Sequence, residues 1–513
     1  MLHILTGRAG SGKTKEIYLR MAQNGKGRPQ LLLVPEQASF EAEQRLCREN
    51  GNQAGLYGEV LTFTRLENRV LSLSGGGARP VLDQGGRLLV MYAALRSVAP
   101  KLTVYALPSR KPEFLNSLLT TADELKSCCV TGTDLIRAGE ETGGLDGDKL
   151  RDLGLIFGAY DAMTARGSLD PRDRLTRLAE KLRDTPYCEG KDLYIDGFTD
   201  FTPQQRLVLE RLLAQAYSVT VTLSMEPGRG EDEVFAPARR TAAILKRLAE
   251  KVRCPVTEEH IGAAARNRTE PLRHLEGNLF GDMELYEGPW DGSIITAALP
   301  SPRDEVRWAA GVIRDLAKAG YRFRDIMLTA RSIEGYREHI REVFSEFEIP
   351  VFQSERTDIL QKPVFTLITA ALDAAAGGYD YEDMFRYLKT GLAGLTPDQC
   401  DRLENYVRTW DLRGSRWTGK KDWTMHPAGY SGKWTEEDRA LLTELNALRR
   451  QVAEPLEKLR KTAGDTIRSQ CMALYAFLES IGAPDALEAR SRQLLEEGEP
   501  ERSREYAQLW EIF

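Results

Sequence analysis

Gly7-Arg8-Ala9-Gly10-Ser11-Gly12-Lys13-Thr14 fills every fixed position of the phosphate-loop pattern G-x-x-x-x-G-K-T, between an apolar run, Leu2 to Thr6, and a stretch that reads as a helix. The glycines let backbone N–H groups turn inward around an anion. The lysine can reach the β- and γ-phosphates, the threonine hydroxyl can ligate Mg²⁺, and the following helix adds its amino-terminal dipole. Gly7, Arg8, Ala9, Gly10, Ser11, Gly12, Lys13 and Thr14 are therefore candidate ATP-binding positions, with Thr14 also a candidate metal ligand. A chance glycine-rich turn would not also carry the lysine–threonine pair and the flanking strand and helix.

Hydrolysis asks for a second strand that ends in an acidic pair, one carboxylate for the metal and the next to orient water. The best candidate is Leu193-Tyr194-Ile195-Asp196-Gly197. Asp196 can serve the Mg²⁺, but Gly197 stands where the orienting carboxylate belongs, so no catalytic residue is assigned. An Asp-Gly pair is also an ordinary turn former, and these residues alone leave both readings of Asp196 open.

With 513 residues the chain exceeds what one hydrophobic core supports, and three or four domains are expected. A content of 42% hydrophobic and 28% charged residues reads as globular. No apolar stretch approaches the roughly 20 residues of a membrane helix, so no membrane partner is expected. Met1 leads directly into the first apolar run without a leader, which makes the cytoplasm the expected location. The cysteines show no C-x-x-C pair and the histidines are scattered, so neither a disulfide framework nor a structural metal is expected. A net charge of −6 does not exclude nucleic acid, because a channel can be locally basic. The basic runs Arg303 to Arg324 and Arg449 to Arg460 are mixed with acids and read as solvated helix faces.

Periodicity orders the chain. Residues 1 to about 78 alternate short strands (Leu2 to Leu5, Leu31 to Val34, Val60 to Phe63) with helices, the pattern of a parallel α/β sheet, and Gly75-Gly76-Gly77 closes this segment. Apolar spacing then turns helical from about 82 to 166. Strands resume at Leu193 to Ile195 and Val219 to Leu223, returning the chain to the first sheet and bringing the acidic motif beside the phosphate loop. A second α/β segment is expected near Ser293, with strands at Ile294 to Leu299 and Ile326 to Thr329. From roughly 373 the pattern is helical, and Trp410, Trp417, Trp423 and Trp434 read chiefly as local core, with base stacking as the alternative.

Asp196-Gly197-Phe198-Thr199-Asp200, followed by Gln204-Gln205, has the outline of the D-E-x-Q-D segment of superfamily 1 helicases, with Gly197 in place of the Glu and Thr199 in place of the Gln. The same chain carries Leu33-Val34-Pro35-Glu36-Gln37-Ala38-Ser39-Phe40, Leu61-Thr62-Phe63-Thr64-Arg65-Leu66, Gly320-Tyr321-Arg322-Phe323-Arg324-Asp325-Ile326, Ile349-Pro350-Val351-Phe352, Tyr387-Leu388-Lys389-Thr390-Gly391-Leu392 and Leu403-Glu404-Asn405-Tyr406-Val407. With these segments it resembles the amino-terminal portion of the AddB family, the B subunits of bacterial AddAB (RexB-like) helicase–nucleases. The resemblance implies an α/β, superfamily 1 helicase-like P-loop core of RecA-like parallel sheets with inserted helical subdomains. Residues 1–78 and 167–285 would form a discontinuous first motor domain (1A) and 79–166 an inserted helical domain (1B). Residues 293–372 would begin a second motor domain (2A, incomplete), and 373–513 a truncated 2B-like helical insertion. Because Glu511-Ile512-Phe513 falls inside a helical pattern, the chain looks truncated. The resemblance implies that a nuclease domain with an iron–sulfur cluster lies beyond Phe513.

The resemblance also distributes roles. Arg331, at the end of an expected strand, would face the γ-phosphate as an arginine finger does, although a surface Arg at a strand end fits it equally. Gln37, Ser39, Thr62, Phe63, Thr64 and Arg65 occupy loops that face single-stranded DNA in helicase cores, and Phe198 or Phe201 can add a stack. The alternative has Phe63 packed in the core and Arg65 paired with an acid. The family is implicated in scanning for the Chi recombination hotspot, and Asn68 stands where related sequences can carry a large aromatic. The implied function is processing of DNA double-strand ends for homologous recombination, with ATP and Mg²⁺, single- and double-stranded DNA and an AddA-type motor subunit as partners, and without motor activity of its own. Two other readings remain: an active P-loop ATPase, helicase or kinase with an unidentified base, and a purely structural scaffold for the motor subunit.

Overall fold

The computed structural model describes residues 1–75, 77, 79–108, 111–226, 233–262, 266, 269–279, 284–353, 359–430, 432–464 and 466–512. Gly76 and Ala78, at the expected first boundary, and Phe513 lie outside the described residues. The chain divides into two compact units, Met1–Ala298 and Leu299–Phe513.

The first unit is built on six strands: β1 (Leu2–Gly7), β2 (Gln30–Leu33), β3 (Gly58–Leu61), β4 (Asp192–Ile195), β5 (Ser218–Ser224) and β6 (Val256–His260). They form one sheet in the order β3-β2-β4-β5-β1-β6, and all of its ladders are parallel, with Leu2 opposite Val219 and Leu33 opposite Ile195. A parallel sheet is covered on both faces, which explains why β1 to β5 are largely buried runs, while the edge strand β6 is exposed. Leu31, Leu33, Leu193, Ile195, Val219 and Val221 point into one core. Leu32, Val34, Val60 and Tyr194 point into another, shared with Ile17, Tyr18 and Met21. The helices of this unit are α1 (Lys13–Asn24), α2 (Ser39–Asn50), α3 (Phe63–Ser74), α4 (Gln84–Val98), α5 (Pro112–Ser127), α6 (Gly132–Thr142), α7 (Gly144–Arg166), α8 (Arg174–Asp184), α9 (Pro203–Gln215), α10 (Ala236–Lys251) and α11 (Glu270–Asn278). Helices α4 to α7 enclose a core of their own around Met91, Leu118, Ile156 and Tyr160.

The chain leaves the sheet for these four helices and returns to it through adjacent residues: the Leu82 N–H donates to Leu169 O at 2.9 Å, and the Leu169 N–H to Pro80 O at 2.8 Å. This neck holds a cluster of buried charge. Arg87 pairs with Asp123 and stands 3.2 Å from Asp170, while Lys126 stands 2.9 Å from Asp161, 3.5 Å from Asp170 and 2.6 Å from Asp173. Tyr160 donates its hydroxyl to Asp170 at 2.9 Å.

In the second unit all regular elements among the described residues are helical: α12 (Pro302–Lys318), α13 (Arg337–Glu346), α14 (Pro363–Gly377), α15 (Tyr381–Leu388), α16 (Pro397–Trp410), α17 (Ser415–Thr418), α18 (Glu436–Thr462), α19 (Ile467–Ser480), α20 (Ala483–Glu496) and α21 (Pro500–Ile512). The strands expected at 294–299, at the boundary of the two units, and at 326–329, in the second, are not formed as strands. Both segments lack a ladder partner among the described residues, and Ile295 and Met327 are exposed. An apolar run of this length needs neighbouring strands before it counts as sheet. Trp417 and Trp423 are core residues, edge to face at 5.4 Å, and Trp423 stacks on Tyr406. Trp434 is half exposed. Arg449 departs from the expected solvated face: it is buried, and its two terminal nitrogens donate to the carbonyls of Arg416, Gly419 and Lys421.

Candidate functional site

The phosphate-loop sequence occupies the carboxyl end of β1, a position where open parallel sheets bind ligands. Gly7 ends the strand, residues 8–12 form the loop, and Lys13 and Thr14 open α1. Lys13 is buried, and its ammonium donates to the carbonyls of Gly7 at 2.7 Å and Arg8 at 2.8 Å. Burial pushes its pKa down, the nearby Arg266 adds to this, and the Asp196 carboxylate works against it. Among the described residues no carboxylate lies within ion-pair distance of Lys13. Ser11 is buried in the loop with its hydroxyl unpartnered. Thr14 is half-buried and Ala9 exposed.

Asp196 directly follows β4, two strands from β1, and accepts a hydrogen bond from the Thr222 hydroxyl on the intervening β5. Gly197 has φ +82°, and a Cβ there would stand 3.3 Å from Pro35 Cδ. This is the left-handed region that side-chain-bearing residues rarely adopt. The missing carboxylate is thus matched by a backbone that favours glycine.

A second group gathers at the carboxyl ends of β2, β3 and β4. Glu36, after β2, accepts the Thr64 N–H at 3.2 Å, and Ser39 donates to Glu36 O at 3.2 Å. Thr62 is buried and caps α3 by accepting the Arg65 N–H at 3.2 Å. Arg65 is exposed and ion-pairs with Glu43, and Gln37 is exposed. The three phenylalanines form one chain of rings, Phe63 edge-on to Phe198 at 5.7 Å and Phe198 against Phe201 at 5.2 Å. Phe63 and Phe201 belong to the sheet core, and Phe198 is half-buried. The packing of Phe63 and the pairing of Arg65 follow the plainer of the two readings made from sequence. Phe63, Thr64 and Phe198 nevertheless line a cleft of about 680 Å³, with Arg87, Arg172 and Gln204 on its other wall. Arg87 and Arg172 were not anticipated, since they come from the neck and tertiary packing sets their approach to the cleft; Gln204, on α9, stood in the helicase-like segment without an assigned role. The dense charge of Asp170-Pro171-Arg172-Asp173-Arg174 is the one local signal.

Arg331 is exposed in the second unit, just after the unpaired segment that was expected to be a strand. Among the described residues no helix is long and apolar enough to cross a membrane.

The family profile described as "ADDB, N-terminal" matches residues 4–276, a span that contains both the phosphate loop and the cleft. The chain is 32% identical over 529 residues to the B subunit of the ATP-dependent helicase/deoxyribonuclease of Acetivibrio thermocellus, covering 99% of this chain and 46% of that protein. It is 34% identical over 540 residues to the protein of the same description from Desulforudis audaxviator, with 99% and 46% covered. For Pelotomaculum thermopropionicum the identity is 33% over 545 residues, with 100% and 46% covered. The chain thus spans about half the length of these curated relatives. A profile that matches more than half of the chain, together with the phosphate loop and the Gly197 backbone on one sheet, places it: this chain belongs to the AddB family.

Proposed function

We propose that this chain is the helicase-like amino-terminal part of a helicase–nuclease B subunit that binds ATP with Mg²⁺ and holds single-stranded DNA without working as a motor. The observation that carries the reading is the pairing of a complete phosphate loop with a β4 end that has no orienting carboxylate and whose backbone at Gly197 favours glycine. Lys13 is poised on loop carbonyls, and the buried Ser11 hydroxyl lacks a partner, as suits a loop shaped for an anion. Thr14 and Asp196 offer the oxygen donors that Mg²⁺ prefers, so these residues fit a nucleotide with its metal. When bound, the metal would neutralise phosphate charge; this chain's own residues grip and orient.

In this reading Gln37, Ser39, Thr62, Phe63, Thr64, Arg65, Phe198 and Phe201 form or support the DNA-facing wall. Phe198, half-buried, is the aromatic best placed to meet a base, backed by Phe63 and Phe201. The site would scan a passing strand for Chi in the cytoplasm, beside an AddA-type motor subunit, during processing of double-strand ends. Residues 1–78 and 167–285 are proposed as motor domain 1A, 79–166 as 1B, 293–372 as part of 2A and 373–513 as 2B-like. No residue here is assigned to nuclease chemistry or to an iron–sulfur cluster.

The test is equilibrium binding of a fluorescent ATP analogue with Mg²⁺ to the native chain and to Lys13→Ala, with phosphate release from ATP followed with and without single-stranded DNA. Binding that Lys13→Ala abolishes, without phosphate release, is expected. DNA-stimulated release would overturn the static reading and make the chain a motor, and absence of binding would leave a scaffold.

A further inference from the structure

Arg8, the second residue of the phosphate loop, does not face an open anion site. Its Nε donates to Glu276 Oε1 at 2.7 Å, its Nη1 to Glu226 Oε2 at 2.7 Å, and its Nη2 to the Glu276 carbonyl. Its guanidinium also lies over the Phe235 ring, 5.6 Å from the centroid. Burial opposes the charge on Arg8, but the two carboxylates outweigh it and raise its pKa. Glu226 follows β5, and Glu276 lies on α11, more than two hundred residues along the chain. A second contact comes from the same direction. The Arg266 N–H donates to Gly10 O at 3.2 Å, and the Arg266 Cβ would stand 2.9 Å from a Cβ on Gly10, which has φ +79°. The loop is thus covered at Gly10 and tied down at Arg8.

Resting on the nucleotide-binding reading above, we propose that this tie is an autoinhibitory latch: Arg8 fastens the phosphate loop to α11 and to the end of β5, and a nucleoside triphosphate binds as the latch opens. Three consequences of the geometry point the same way. Lys13 donates to the carbonyls of Gly7 and Arg8, so the tied segment is the one that occupies the lysine. Glu226 and Glu276 place two carboxylates at the mouth of a site whose ligand is a polyanion, and they hold the guanidinium that would otherwise attract it. A ligand shifts a conformational equilibrium only by binding one form better than the other. A triphosphate does so here, because it offers Lys13 and Arg8 stronger acceptors than a carbonyl or a shared carboxylate. Linkage is reciprocal, so weakening the latch strengthens nucleotide binding.

The experiment uses the whole chain and two variants, Glu226→Gln and Glu276→Gln, each of which keeps the side chain's shape and removes its charge. The probe is the fluorescent ATP analogue with Mg²⁺, and hydrogen exchange of Glu270–Asn278 is followed with and without it. Each variant is expected to bind the probe roughly five- to tenfold more tightly. The α11 amides should exchange faster when nucleotide is added to the native chain, and faster in Glu276→Gln even without it. Unchanged or weaker affinity in both variants, with α11 exchange indifferent to nucleotide, would overturn the latch. If the native chain binds and Lys13→Ala does not, while both glutamine variants match the native chain, only the latch falls. If no chain binds the probe, the nucleotide-binding reading falls with it. Binding by the glutamine variants alone would show a latch that holds the native site shut.

Discussion

At the neck of the four-helix insertion, Arg87 and Lys126 each face carboxylates, four aspartates in all, with the Tyr160 hydroxyl and the Arg172 N–H also directed at Asp170. At the phosphate loop a lysine of comparable burial has, among the described residues, two carbonyls and no carboxylate, and a buried serine hydroxyl has no partner. Both places lie in one unit and belong to one fold. The neck pairs its cations with carboxylates and works as a strut, whereas the loop holds its lysine on backbone carbonyls. An ammonium held by carbonyls alone, beside a free hydroxyl, is the polar surplus that the proposed nucleotide reading assigns to a phosphate.

Removing a partner at the neck should have the largest effect. Asp170→Ala leaves Arg87 and Lys126 short of a carboxylate and is expected to lower the stability of the first unit by about 3 kcal/mol, read by chemical denaturation with hydrogen exchange resolving the unit. Burial works against ionised Asp170, but the Arg172 N–H, Lys126, Arg87 and Tyr160 outweigh it and hold its carboxyl below the usual value of 3.8. The native form therefore binds its proton less readily than the unfolded chain does. The advantage over Asp170→Ala should be complete above pH 3.8 and fade as pH falls through the depressed native value. A difference that persists undiminished into strong acid would contradict the strut.

Gly197→Glu probes the other member of the comparison. Supplying the absent carboxylate forces a side chain into φ +82° against Pro35, and a loss of about 1–2 kcal/mol is expected, with no gain in DNA-stimulated phosphate release. A variant that folds as well as the native chain and releases phosphate would show that the backbone is no obstacle. Arg65→Ala should have the smallest effect on stability. Its pair with Glu43 is exposed, so a change within about 0.5 kcal/mol is expected, while affinity for single-stranded DNA falls measurably in a fluorescence titration. Equal DNA affinity would reduce Arg65 to a surface ion pair.

Five of the six strands were legible, because a buried parallel strand is written as a run of apolar residues, as in Leu31-Leu32-Leu33-Val34. β6 was not. Val256-Thr257-Glu258-Glu259-His260 is exposed throughout and is held by the ladder to β1, so its residues carry no burial pattern. The error ran the other way at Ile294 to Leu299, where apolar letters without a neighbouring strand form no regular element. The phosphate-loop pattern was readable because it is local, eight consecutive residues between a strand and a helix. The carboxylates that tie Arg8 were not, since Glu226 and Glu276 are remote in sequence and ordinary in context. The cleft was half readable: Phe63, Thr64 and Phe198 stood in motifs, whereas Arg87 and Arg172 reach it through the neck.

The adjacency of Pro80, Leu82 and Leu169 where the chain leaves and re-enters the sheet has an evolutionary consequence. A lobe whose two ends meet is a replaceable module, since lengthening, trimming or exchanging it asks nothing of the strands it interrupts. One wall of the cleft is carried by that module and its stem, the other by the sheet. In the proposed DNA-holding reading, changes to the module can therefore retune what the cleft accepts without touching the strands that carry the phosphate loop.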